Sequence, residues 1–256
     1  MYYYVYDSLA LAKESSRVTT KIETEINNLG LSGERGQVSA LRSVEDLVKD
    51  AARRGYQPIV AVGDDATFNT ALNALVSNKA IKQIPLGYIP ITANQPMAQL
   101  LGLDSHSAVV ALSRRIIRTV PLAQAGKAYF LSVMRCQPPE PIPRSFFDRL
   151  LHRAKPIYQA SISVDHTIRA TIQAKYLAVH YDPKQTRLRI DVRGARFDQK
   201  GEPQDLSVMW GSHITIAGNP QLACLIDGRP VTRTPIDVSV SNVRIPLIVG
   251  RSRKFE

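Results

Sequence analysis

The sequence predicts an N-terminal open α/β domain with a mostly parallel sheet, followed by a C-terminal antiparallel β-sandwich. Three observations carry this. Around Pro58–Leu75, a short apolar run (Ile59, Val60, Ala61, Val62) meets the polar turn Gly63-Asp-Asp-Ala-Thr67, and Phe68, Ala71, Leu72 and Leu75 follow at helical spacing. Before and after that unit, strand-like and helix-like stretches alternate, the pattern of a parallel sheet covered on both faces. Beyond about residue 117 the helical spacing fades, and alternating runs separated by Asp-Pro, Asn-Pro and Asp-Gly turns take over. The expected domains are 1–117 and 118–256, with the residues near the C-terminus free to return to the first domain.

In order, Met1–Asp7 has neither a basic n-region nor a cleavable apolar segment and reads as a first strand rather than a signal peptide. Residues 12–28 read as a helix with Ile22, Ile26 and Leu29 on one face, stopped near Gly30. Gly33–Val38 reads as a weak strand or loop. Ser43-Val-Glu-Asp46 resembles a capping box opening a helix with Val44, Leu47, Val48 and Ala51 on its apolar face. The organising βα unit comes next, then a strand at Ile84–Pro90, a polar turn over Ile91–Pro96, and a helix carrying Met97, Leu100 and Leu101 that stops at Gly102. In the second half, strands are expected at Ile116–Leu122, Lys127–Cys136, Gln159–Val164, Ile168–Tyr181, Arg187–Val192, Leu206–Ile216, Ala223–Ile226, Ile236–Val240 and Ile245–Val249. Gln137–Pro143 is a break before a short helix at Phe146–Arg153.

The strand–turn–helix at 59–75 aims backbone N–H groups and a helix N-terminus at one spot, which suits a phosphate; an ordinary βα turn capped by Asp65 or Thr67 is the plain alternative. Ligands of open α/β sheets lie beyond the strands' carboxyl ends, where the 63–67 and 91–96 turns fall, so the cleft between domains is the expected site.

Composition narrows the classes. At 256 residues and 44% hydrophobic, the chain can bury a real core, and no apolar run approaches the roughly 20 residues of a spanning helix. Cys136 and Cys224 form neither a CxxC site nor a disulfide framework and read as buried free thiols in a reducing compartment. The net charge of +11 fits an anionic lipid surface, a phosphorylated small molecule or nucleic acid. No zinc-finger spacing or RNP-like stretch supports the last, which rests on charge alone. The five histidines show no metalloprotease spacing, and no serine sits in a G-x-S-x-G setting. Trp210, the only tryptophan, reads as a core or interface residue.

Three segments resemble the diacylglycerol kinase family, the lipid kinases related to sphingosine kinases and more distantly to NAD kinases. Val60-Ala-Val-Gly-Asp-Asp-Ala-Thr-Phe-Asn69 is similar to V-A-V-G-G-D-G-T-L-N. Pro85-Leu-Gly-Tyr-Ile-Pro90 through Ala98 and Leu101-Gly102 is similar to P-L-G-x-I-P-x-G-T-x-N-D-x-A-x-x-L-G. Ile226-Asp-Gly-Arg-Pro230 stands where the family has D-G-E. The resemblance implies transfer of the ATP γ-phosphoryl group to a lipid hydroxyl with Mg²⁺. It implies nucleotide contacts from Gly63, Asp64, Asp65, Ala66, Thr67, Asn69, Thr92 and Asn94, metal binding by Asp65, and Asp227 as the base that takes the acceptor's proton. It also implies a cytoplasmic protein with peripheral contact to anionic membrane, leaves a homodimer open and does not favour nucleic acid.

The departures from those motifs set a second expectation. Asp64 and Ala66 replace glycines that allow close backbone approach to phosphate. A carboxylate about 4 Å from a phosphate charge costs on the order of 4 kcal/mol at an effective dielectric near 20. Thr92-Ala-Asn-Gln-Pro96 lacks the glycine and carboxylate of G-T-x-N-D, Arg229 replaces an acid, and Tyr6-Asp-Ser-Leu9 stands in place of an N-P-x-S-G loop. Phosphoryl transfer depends on positioning and charge neutralisation, so activity is expected to be weakened or lost. A non-catalytic lipid- or protein-binding relative is the alternative.

Overall fold

The computed structural model describes residues 1–77, 83–93, 95–138, 157–194 and 206–255. The chain divides into two compact units, Met1–Leu122 with Ser241–Glu256, and Ala123–Val240.

The first unit is built on a parallel sheet. β1 (Tyr2–Tyr6) lies between the edge strand β2 (Gly33–Gln37) and β3 (Ile59–Gly63), with β4 (Leu86–Pro90) beyond β3. The end of β15 (Ile236–Ile248) adds to β4 in parallel, Leu247 opposite Leu86. All residues of β1, β3 and β4 are buried, as expected of strands covered on both faces. Each large side chain so buried contributes roughly 1.5–3 kcal/mol. The tyrosines of β1 reach buried carbonyls with their hydroxyls: Tyr2 donates to Leu112 O at 3.0 Å and Tyr4 to Leu31 O at 2.7 Å.

The helices follow their local signals. α1 (Ser16–Asn28) begins later than the sequence pattern suggests, after a 3₁₀ turn at Lys13–Ser15, and buries Ile22 and Ile26, whereas Leu29, expected on the same face, is its C-cap and exposed. α2 (Val44–Arg53) starts at the expected capping box, with Asp46 N donating to Ser43 Oγ at 3.2 Å and Ser43 N to Asp46 Oδ2 at 3.0 Å. α3 (Asp65–Ser77) follows β3, and α4 (Pro96–Leu101) follows β4. α5 (Ser105–Arg114) is a helix that the sequence analysis leaves unassigned. Asp104 caps it by accepting from Ser107 N and His106 N, and Ala108, Val109, Ala111 and Leu112 are buried.

The second unit is an antiparallel sandwich whose two sheets share one long strand, β9 (Ile168–Asp182). The first part of β9 pairs with β8 (Tyr158–Val164), which continues through β12 (His213–Asn219) to the start of β15. Its last part lies between β7 (Val133–Gln137) and β10 (Arg187–Gly194); outside these are the hairpin β13 (Ala223–Ile226) and β14 (Arg229–Arg233) on one side and β11 (Leu206–Gly211) on the other.

Several boundaries differ from those read in the sequence. β5 (Ile117–Ala125) runs three residues further, and the expected strand at 127–136 is interrupted between β6 (Ala128–Phe130) and β7. The stretch expected as one strand over 206–216 breaks at Ser212, because Asp165 Oδ1 accepts from Ser212 N and His213 N, at 2.9 and 2.8 Å. The two strands expected at 236–249 are one, and β14 was unread. The helix expected at 146–153 lies outside the described residues.

Candidate active site

β1 is the topological switch point: the chain leaves it for β2 on one side and returns to β3 on the other. Ligand sites of open α/β sheets form at the carboxyl ends of such strands. There Asp7 follows β1, Gly63–Thr67 joins β3 to α3, and Thr92–Gln95 joins β4 to α4.

Asp7 is buried at the end of β1. Its Oδ1 accepts from Ala10 N at 2.8 Å, and its Oδ2 accepts from Thr67 Oγ1 at 2.5 Å. Gly63 passes so close that a Cβ there would sit 2.4 Å from Asp7 Oδ2 and 3.0 Å from Thr67 Oγ1. This is a packing reason for the glycine that needs no ligand. Asp64 acts as the N-cap of α3, with Oδ1 accepting from Thr67 N at 2.7 Å and lying 2.9 Å from Thr67 Oγ1. One hydroxyl proton therefore serves two carboxylates.

Asp65 is 4% exposed. Its Oδ1 accepts from the Tyr88 hydroxyl at 2.9 Å and its Oδ2 from Met97 N, in the first turn of α4, at 2.8 Å. Burial pushes its carboxyl above the ordinary range, against the lowering pull of the Met97 amide and the Tyr88 hydroxyl. Its own N–H donates to Gln95 Oε1 at 3.1 Å, and the Gln95 amide in turn donates to Thr92 Oγ1. Asp65 thus pins the two βα turns together.

The first turn of a helix offers N–H groups without intrahelical partners. In α3 those of Asp65 and Thr67 are already taken, by Gln95 and Asp64. Ala66, Thr67 and Asn69 are buried, and Asn69 Oδ1 accepts from Asn73 Nδ2 at 3.0 Å one turn along the helix. Asp7, Asp64 and Asp65 bring three carboxylates to one helix N-terminus, whose dipole favours them. Among the described residues no three His, Cys, Asp or Glu side chains converge to hold a metal ion. Two N–H groups of this first turn are thus held by the chain's own oxygens, and both oxygens of Asp65 face donors.

The structure gathers Gly63, Asp64, Asp65, Thr67 and, through Gln95, Thr92. Asn94 lies outside the described residues. Asp227 belongs to the second unit, at the turn between β13 and β14. Its φ of 49° and that of Gly228, 83°, are those of an Asp-Gly hairpin turn. Its Oδ1 accepts from Ser132 Oγ at 2.5 Å. Sequence reasoning missed Asp7, Tyr88 and Gln95 as partners. The position of Asp7 just past a buried strand was the one available signal.

Residues 2–125 match the family model of the diacylglycerol kinase catalytic domain. No curated protein matches the sequence significantly. Among solved structures, a diacylglycerol kinase from Bacillus anthracis str. Sterne is similar, with a TM-score of 0.74 and 14% identity over 99% of this chain and 98% of the other. An NAD kinase from Archaeoglobus fulgidus in complex with ATP is similar at a TM-score of 0.60 and 13% identity, over 99% and 95%. At such identities the two structures speak for the fold. The likeness to the diacylglycerol kinase catalytic domain rests on the match over residues 2–125.

Proposed function

We propose that this chain is a diacylglycerol-kinase-family protein in which ATP-dependent phosphoryl transfer to a lipid hydroxyl is weakened or lost. The observation that carries the reading is the N-terminus of α3, where Gln95 Oε1 and Asp64 Oδ1 hold two of the first-turn N–H groups that could otherwise receive phosphate. The added charge of Asp64 and the sealed position of Asp65 act in the same direction. Peripheral contact with anionic membrane is part of the proposal. It is supported by the basic charge and by an outer face of the sandwich where Arg189 lies over the half-exposed Trp210 ring at 5.8 Å and Arg193 over Tyr176 at 5.2 Å.

The test is calorimetric titration of Mg²⁺-ATP into the wild type and into Asp64→Gly/Gln95→Ala, with circular dichroism to verify folding. No binding by the wild type at millimolar ATP, and saturable binding by the double variant, is the expected result. Saturable Mg²⁺-dependent binding by the wild type with turnover of diacylglycerol would overturn the proposal and restore an active lipid kinase.

A further inference from the structure

Cys136 and Cys224 are 88 positions apart in sequence, yet they meet in the second unit. They are direct partners across the antiparallel pair β7–β13, both buried, with Sγ atoms 3.6 Å apart and no bond between them. Directly opposed residues of an antiparallel pair have Cα atoms roughly 4.5–5.5 Å apart. That lies inside the range of about 4.4–6.8 Å that a disulfide spans. Side-chain rotation alone can close the remaining gap between the sulfurs.

We propose that Cys136 and Cys224 form a site of reversible oxidative modification, closing to an intramolecular disulfide when the protein meets a low-molecular-weight disulfide. In the first step the Cys224 thiolate attacks a sulfur of the oxidant, forming a mixed disulfide and releasing one small thiolate. Cys136, deprotonated as it reacts, then attacks the Cys224 sulfur and expels the second. Two S–H bonds and the oxidant's S–S bond break, one protein S–S bond forms, and the oxidant leaves as two thiols carrying both protons and both electrons.

Two features favour Cys224 as the first nucleophile. The hydrogen bond between the two sulfurs holds the Cys224 thiol down, while that bond first and burial after it push Cys136 up. Cys224 also lies where the β13–β14 register slips, between Cys224 and Leu225, in a hairpin whose outer strand β14 is exposed along its whole length. Opening that edge uncovers Cys224 without unfolding the sandwich. The bond would tie β7 to β13, the strands whose neighbours Ser132 and Asp227 are hydrogen-bonded to each other. This inference stands apart from the phosphoryl-transfer reading, and its test contains no activity measurement.

The full chain is treated with oxidised glutathione under native conditions, freed of reagent, and denatured in maleimide before intact-mass analysis. The expected product is about 2 Da lighter than the reduced chain, carries no maleimide, returns to the dithiol with dithiothreitol, and melts several degrees higher. Cys136→Ser and Cys224→Ser each abolish both the mass loss and the shift in Tm. Two maleimides per chain after treatment, glutathione adducts as the end product, a cross-linked dimer, or a Tm shift that persists in either serine variant would overturn the proposal.

Discussion

Asp65, read in the sequence as a nucleotide and metal contact, clamps two βα turns together in the fold. Its two oxygens receive the Tyr88 hydroxyl and the Met97 amide, so removing them strands two buried donors. Asp65→Ala is expected to destabilise the first unit by about 2–4 kcal/mol, read from urea unfolding. The pH dependence has a definite sign. Burial raises the folded-state pKa above the ordinary 3.8, so the folded chain holds this proton more tightly than the unfolded one. The group's contribution to stability is then fully present below 3.8 and lost as pH rises through the folded value. The stability difference between wild type and Asp65→Asn should accordingly narrow as pH rises from the acid range to neutrality. A constant difference across that range would remove the linkage argument. The clamp was not legible in the sequence, because Asp65, Tyr88 and Met97 are brought together only when β3, β4 and α4 pack. What the local pattern conveyed was a carboxylate at a strand–helix turn.

Elements were legible where their signals are local. The capping box at Ser43–Asp46 and the apolar run at Ile59–Val62 are written in adjacent residues, and both elements form as read. α5 carried equally local signals: Asp104 at the N-cap, Ser107 three residues on, and Ala108, Val109, Ala111 and Leu112 at helical spacing. Its brevity and the nearby Gly102 stop obscured it. Strand breaks were harder, because the interruption at Ser212 is imposed by Asp165, 47 residues away, and the continuity of β15 depends on partners at each end. Asp104→Ala should cost α5 its cap, about 1 kcal/mol at neutral pH in urea unfolding. The backbone N–H of Ser107 chiefly holds the Asp104 carboxyl below its ordinary range. The stabilisation is therefore present above 3.8 and lost as pH falls through the depressed folded value, so wild type and variant should converge in acid. A gap that widens in acid would contradict the capping role.

At the scale of the whole molecule, the property that bears on the proposed membrane contact is charge. Each exposed Lys or Arg near an anionic bilayer contributes about 1 kcal/mol within a Debye length, and +11 is a large reserve of such contacts. No helix among the described residues is long and apolar enough to cross a membrane. Of the two readings of Trp210, core or interface, the core is excluded: the residue is 43% exposed on β11, next to Val208 at the same exposure and under Arg189. An aromatic ring with an apolar body and a polar N–H settles readily at a membrane interface, and the guanidinium beside it favours anionic headgroups. Because Trp210 is the only tryptophan, its fluorescence reports this face alone. Anionic vesicles at about 0.05 M salt should shift its emission to the blue, and roughly 0.5 M salt should reverse the shift by screening. Neutral vesicles should leave it unchanged. Trp210→Phe should keep part of the vesicle binding, since the basic charge remains, whereas Arg189→Glu/Arg193→Glu should reduce it at least several-fold. Blue shifts of equal size with neutral vesicles would make the contact hydrophobic rather than electrostatic. Pelleting with anionic vesicles while the emission stays fixed would move the contact to another face of the molecule.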